Sequence, residues 1–107
     1  LIIFTSPAKK TSFLLHFADK RAAAVQKLLQ KGKTQLAVTT YTKAEKYLEK
    51  AFLRMQDIKN TSNKEDLKKA LLKHREVLKL FENKMSNELY KRLKFRHQRL
   101  ENMLNNG

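Results

Sequence analysis

Residues 34–58 read TQLAVTTYTKAEKYLEKAFLRMQDI, and within them Ala37, Tyr41, Ala44, Leu48, Ala51, Met55 and Ile58 recur at alternating spacings of four and three. Those steps return to one side of a helix that turns every ~3.6 residues, so the seven side chains form a seam rather than a strand face. A seven-residue repeat of this kind is the geometry of bundles and coiled coils, which makes this helix the one its neighbours pack against. Gly32, just after Lys31, reads as a left-handed helix stop, and Thr34 reads as the cap of the seam helix. Upstream, Thr5, Ser6 and Pro7 open a first helix whose Leu14, Ala18, Ala22, Val25 and Leu29 share a face. Downstream, Ser62 with Glu65 matches a capping box, and Leu67, Ala70, Leu71, His74, Val77, Leu78 and Phe81 line the helix it starts. Ser86 caps the last helix, which buries Leu89, Leu93, Leu100 and Leu104. The expected fold is all-α: an antiparallel bundle of three to four helices over about 7–31, 34–60, 63–83 and 87–105, in one domain spanning 1–107. Helices three and four read as two elements, with one long kinked helix as the alternative.

The composition agrees with that pattern. Among 107 residues there are two glycines and one proline, too few to supply the turns a sheet needs. The absence of cysteine removes disulfides, thiolate metal sites and cysteine nucleophiles without fixing a compartment. Lys and Arg number 24 against 10 Asp and Glu, a formal charge of +14, and the isoelectric point is near 10.2. A field of that sign draws nucleic acid, acidic lipid or anionic polymer without choosing among them. The apolar run Leu1 to Phe4 is too short for a signal-peptide core or a membrane span, so export requires a signal upstream of residue 1.

No motif carries catalytic chemistry. Gly32, Lys33 and Thr34 copy the end of a phosphate-binding loop, but Lys27 stands where its first glycine belongs and a helix precedes it. His16, His74 and His97 fall on three different helices, and none has a histidine partner four residues away. His74 reads as a hydrogen-bonded core imidazole and His97, with Glu101 at i+4, as half of a surface pair. No serine sits in a glycine-flanked elbow. The expectation is therefore a non-enzyme with no metal, no cofactor and no small-molecule substrate. Arg21 lies near the edge of the first helix's apolar face, level with residue 44 if the chain folds back at 32–33, so an Arg21–Glu45 ion pair across that hairpin is predicted.

The last helix carries the densest basic stretch: Lys91, Arg92, Lys94, Arg96 and Arg99, with no acid between Leu89 and Leu100. Phe95 lies roughly 160° from the buried face, beside Arg92 and Arg99. A ring among cations stacks on bases, sits at a lipid surface or fills a partner's pocket. Lys91, Arg92, Phe95, Arg96 and Arg99 are the expected contact surface for an anionic partner. The plainer alternative is a solvated basic side with Phe95 packed on the N-terminal segment.

The segments FTSPAKK (4–10), LLHFADKR (14–21) and LLQKGKTQL (28–36), with KHREVL (73–78), resemble a bacterial family of exported or membrane-anchored proteins, domain of unknown function 5667. The family pattern is a helix with an A-[DE]-[KR]-R segment, a glycine turn, a helix rich in tyrosine and alanine, and a later K-H-x-x-V-L helix. Ala18 to Arg21 and Lys73 to Leu78 match it residue by residue. The resemblance implies an extracytoplasmic all-helical domain with no established activity and no catalytic residues to carry over. The chain departs from the family in its basic charge and in Ser86, where a proline opens the last helix. The reading that results is a helical interaction or scaffold domain of a bacterial exported protein, contacting anionic surface polymer, lipid or a protein. Its rivals are a cytoplasmic nucleic-acid-binding protein, and a homo-oligomer joined through the seam or through Leu53, Leu72 and Leu80.

Overall fold

A glycine with φ of +74° ends the first helix and sets the direction of the second. Gly32 N–H donates to the Leu29 carbonyl and Lys33 N–H to that of Leu28, the paired bonds of a Schellman stop, which an L side chain at position 32 would strain. The computed structural model describes residues 7–57 and 63–106. Four helices run through them: α1 (Pro7–Gln30), α2 (Thr34–Asp57), α3 (Lys64–Lys79) and α4 (Asn87–Asn106). No strand occurs among the described residues, and none of their helices is long and apolar enough to cross a membrane.

Ala18 and Ala22 of α1 and Ala37, Ala44 and Ala51 of α2 have no exposed surface. Side chains that small let two helices approach closely, and the α1/α2 hairpin is the most extensive pairing in the molecule. α3 packs against α1 and α2, and α4 packs against α2 and α3. Every described seam position from Ala37 to Met55 is buried; Ile58 lies outside the described residues. On α1 the buried face is turned slightly from expectation, with Leu15 and Thr11 inside and Leu14 only partly covered.

The helix ends differ from the sequence reading in instructive ways. Ala37 N–H bonds to the Lys33 carbonyl, so Thr34 is the first helical residue rather than the cap. Asn63 precedes α3 but makes no side-chain cap; its amide reaches Ser12 of α1 at 3.1 Å instead. The expected Ser62–Glu65 box falls on Ser62, outside the described residues. α3 stops at Lys79 rather than near 83, because the N–H groups of Leu80, Phe81 and Glu82 each reach only three residues back and Asn83 then turns left-handed at φ 67°. That break separates α3 from α4 and drives Phe81, fully buried, edge-on to the Tyr41 ring at 5.6 Å. Ser86 caps α4 as expected, its hydroxyl oxygen accepting from Leu89 N–H at 3.2 Å.

The apolar core falls into two parts. One gathers Leu15, Ala18, Leu48, Phe52, Leu71 and Leu100 among others. The second contains Val25, Ala37, Tyr41, Leu78, Phe81 and Leu93. Along every helix the split falls at the same height, and charged or polar side chains occupy it.

Candidate functional site

Each helix contributes one titratable group to the gap between the two apolar clusters: Asp19 from α1, Glu45 from α2, His74 from α3 and His97 from α4. Glu45, His74 and His97 are buried, with at most 1% of their surface exposed. Glu45 Oε1 accepts from the Tyr41 hydroxyl at 2.7 Å and from His97 Nδ1 at 2.7 Å. Because a carboxylate oxygen facing it can only accept, Nδ1 is the nitrogen that carries the proton in this contact. The Tyr41 oxygen also lies 3.4 Å from the His74 carbonyl, a longer approach that its single proton does not favour. Burial first, and then the neighbouring Glu45 carboxylate, push the Tyr41 phenol far above its ordinary range, so it stays a donor.

His74 Nε2 lies 3.2 Å from Asp19 Oδ1, which is 38% exposed at the rim. Burial lowers the His74 pKa from its ordinary value, and the Asp19 hydrogen bond opposes that shift without reversing it. Three buried atoms in the layer have no hydrogen-bond partner: Glu45 Oε2, His74 Nδ1 and His97 Nε2. His97 Nε2 points toward Glu101 Oε1 at 3.6 Å, beyond hydrogen-bond reach, while Glu101 is itself bonded to Arg75 of α3. The layer thus joins α2 to α4 through Glu45 and His97, and α1 to α3 through Asp19 and His74, two polar pairs of the kind that fix helix register in a core otherwise free to slide.

Two grooves flank it. One of about 640 Å³ lies between α3 and α4, with His97 in its wall beside Arg75, Tyr90, Lys94 and Gln98. The other, about 410 Å³, lies between α1 and α3 and is lined by His16, Asp19, Asp66 and Lys73 among others. Among the described residues no group of three or more His, Cys, Asp or Glu side chains is placed to hold a metal ion. Glu45 and His97 have the form of an acid–imidazole dyad, but the carboxylate is sealed in the core and Glu101 stands across the outer nitrogen.

Two expectations fail here. Arg21 does not meet Glu45: its guanidinium lies 5.4 Å from the centre of the Tyr47 ring, and Glu45 faces inward to Tyr41 and His97. The reason is geometric, since a carboxylate at the seam's edge turns toward the interior once α4 supplies a buried donor, and Arg21 takes the π face of Tyr47 instead. His97 is likewise no surface residue. It follows Leu93 by four and precedes Leu100 by three, a spacing that already places it on the buried face of α4.

The basic face of α4 is mostly as expected. Lys91, Arg92 and Arg99 are exposed, and Phe95 retains 67% of its surface; the N-terminal residues 1–6, its alternative packing partner, lie outside the described residues. Arg92 pairs with Glu88 at 3.0 Å. Arg96 departs from the group: its side chain is 29% exposed and turns toward Glu49 of α2 at 3.7 Å. Wheel geometry explains this, because Arg96 is only about 60° from the helix's buried centre while Phe95 lies opposite it.

The family model described as Domain of unknown function (DUF5667) matches residues 1–88, which takes in α1, α2 and α3 and ends in the first turn of α4. No curated protein and no solved structure matches the chain.

Proposed function

The chain belongs to the DUF5667 family, and from that premise we propose that it is a non-enzymatic helical interaction domain of a bacterial exported or membrane-anchored protein, with α4 as its contact for an anionic surface. The observation that carries this reading is the outer face of α4, where a ring left 67% exposed is flanked by exposed Lys91, Arg92 and Arg99. The same face lies almost wholly beyond the family match, so the family supplies the scaffold of α1 to α3 and the α4 surface is read from its own residues. The formal charge of +14 adds long-range attraction to any polyanion. The buried polar layer serves the scaffold, tying α2 to α4 and α1 to α3 behind that face.

Titration of anionic vesicles, duplex DNA and single-stranded RNA at rising salt tests the proposal. Vesicle binding is expected to weaken as salt rises, and reversing Lys91, Arg92 and Arg99 to Glu should weaken it by more than about a hundredfold, at ~1 kcal/mol per basic residue near an anionic membrane. Tight binding of either polynucleotide at physiological ionic strength, with none to vesicles, replaces this reading by the nucleic-acid one. A solution mass above that of one chain, lost on changing Leu53, Leu72 and Leu80 to polar residues, replaces it by self-assembly.

A further inference from the structure

The exposed ring at position 95 lies at the pole of α4 opposite the buried Leu93, His97, Leu100 and Leu104. Its neighbours one turn away are Lys91 and Arg92 before it and Gln98 and Arg99 after it, all exposed. The one carboxylate on this face, Glu88, is already paired with Arg92. A basic helix face with an apolar centre suits the boundary between headgroups and acyl chains, where a ring leaves water while flanking cations meet phosphate. A soluble polyanion without bases, such as polyphosphate, satisfies the cations equally but gives the ring nowhere to go.

Resting on the anionic-surface reading above, we propose that the partner of α4 is an anionic lipid bilayer, with α4 lying along its surface and Phe95 entering the headgroup boundary. α4 has 20 residues, so the helix is ~30 Å long and lies flat on a membrane. Phe95 is then an anchor, Lys91, Arg92 and Arg99 are headgroup contacts, and Arg96 takes no part because it is turned to Glu49.

The chain has no tryptophan, so Phe95→Trp places a unique fluorophore at the pole without disturbing packing. Its emission is recorded with equimolar phosphatidylglycerol–phosphatidylcholine vesicles, with pure phosphatidylcholine vesicles and with inorganic polyphosphate, and vesicle affinity is measured for Phe95→Ala after far-UV circular dichroism confirms its helicity. The expected result is a blue shift with the anionic vesicles alone, together with a loss of about tenfold or more in vesicle affinity for Phe95→Ala and unchanged polyphosphate binding. Anionic vesicles that bind without a blue shift, or with full affinity for Phe95→Ala, overturn the anchoring role. Polyphosphate binding without vesicle binding overturns the lipid assignment and leaves the anionic-surface reading standing; binding to neither removes both.

Discussion

Replacing His97 by Leu tests whether the polar layer holds the bundle together. The substitution puts an apolar side chain of similar size into a site that is 1% exposed, so the cavity contribution is small. What it removes is the 2.7 Å donor to Glu45 Oε1. Glu45 has no exposed surface, its Oε2 already lacks a partner, and after the change only the Tyr41 hydroxyl remains to bond it. Removing one member of a buried, hydrogen-bonded carboxylate pair costs about 3–5 kcal/mol, against total stabilities of ~5–15 kcal/mol for domains of this kind. At ~4–8 °C per kcal/mol the midpoint should fall by about 12–40 °C. Urea unfolding followed by far-UV circular dichroism gives the free energy directly, provided the slope m is unchanged. The companion Glu45→Leu variant and the double variant complete a cycle. Because the double change leaves no buried carboxylate seeking a donor, it should cost less than the two single costs together, with a coupling of about 2 kcal/mol or more. A His97→Leu cost below ~1 kcal/mol, or costs that add within ~0.5 kcal/mol, would refute the claim that the layer is a coupled structural unit.

Three further outcomes follow from single contacts. His74 is held by burial below its ordinary pKa of 6.5, so below that pH the unfolded chain binds a proton that the folded one resists; stability is full above it and declines as pH falls through it. Thermal midpoints across that range should therefore drop in the wild type and flatten in His74→Gln, and parallel curves would count against burial as the cause. Gly32→Ala meets no atom within 4 Å of the added Cβ, so its cost is backbone strain at φ +74° alone, about 1 kcal/mol, read as a midpoint lowered by a few degrees. Ser86→Ala removes the 3.2 Å acceptor for Leu89 N–H and should cost about 1 kcal/mol, measurable by the same urea titration, with Ser86→Asp retaining the cap.

The seam of α2 was legible because a seven-residue repeat has one structural solution, and six of its positions lie in the described, buried set. Gly32 and Ser86 were legible for the same local reason: a left-handed stop and a hydroxyl cap act on their own few residues. The boundary of α3 was not, since Phe81 continues the apolar spacing of Val77 and Leu78 although the N–H groups of Leu80, Phe81 and Glu82 reach only three residues back and Asn83 turns left-handed. Of the α4 surface, Lys91, Arg92, Phe95 and Arg99 came from the wheel alone, whereas Arg96 was drawn off by Glu49, a residue 47 positions away in sequence.

The sequence by itself determined that this protein is a bundle of three to four helices with one apolar side each and a basic exterior, because periodicity and charge are properties of residues a turn apart; that α3 and α4 are separate was decided by the break at Asn83. Only the tertiary structure decided that Glu45 turns inward to Tyr41 and His97 rather than outward to Arg21. The direction of a carboxylate on the edge of a helix face depends on which donor a distant helix brings within 3 Å, and that is fixed when the helices dock, not when they form.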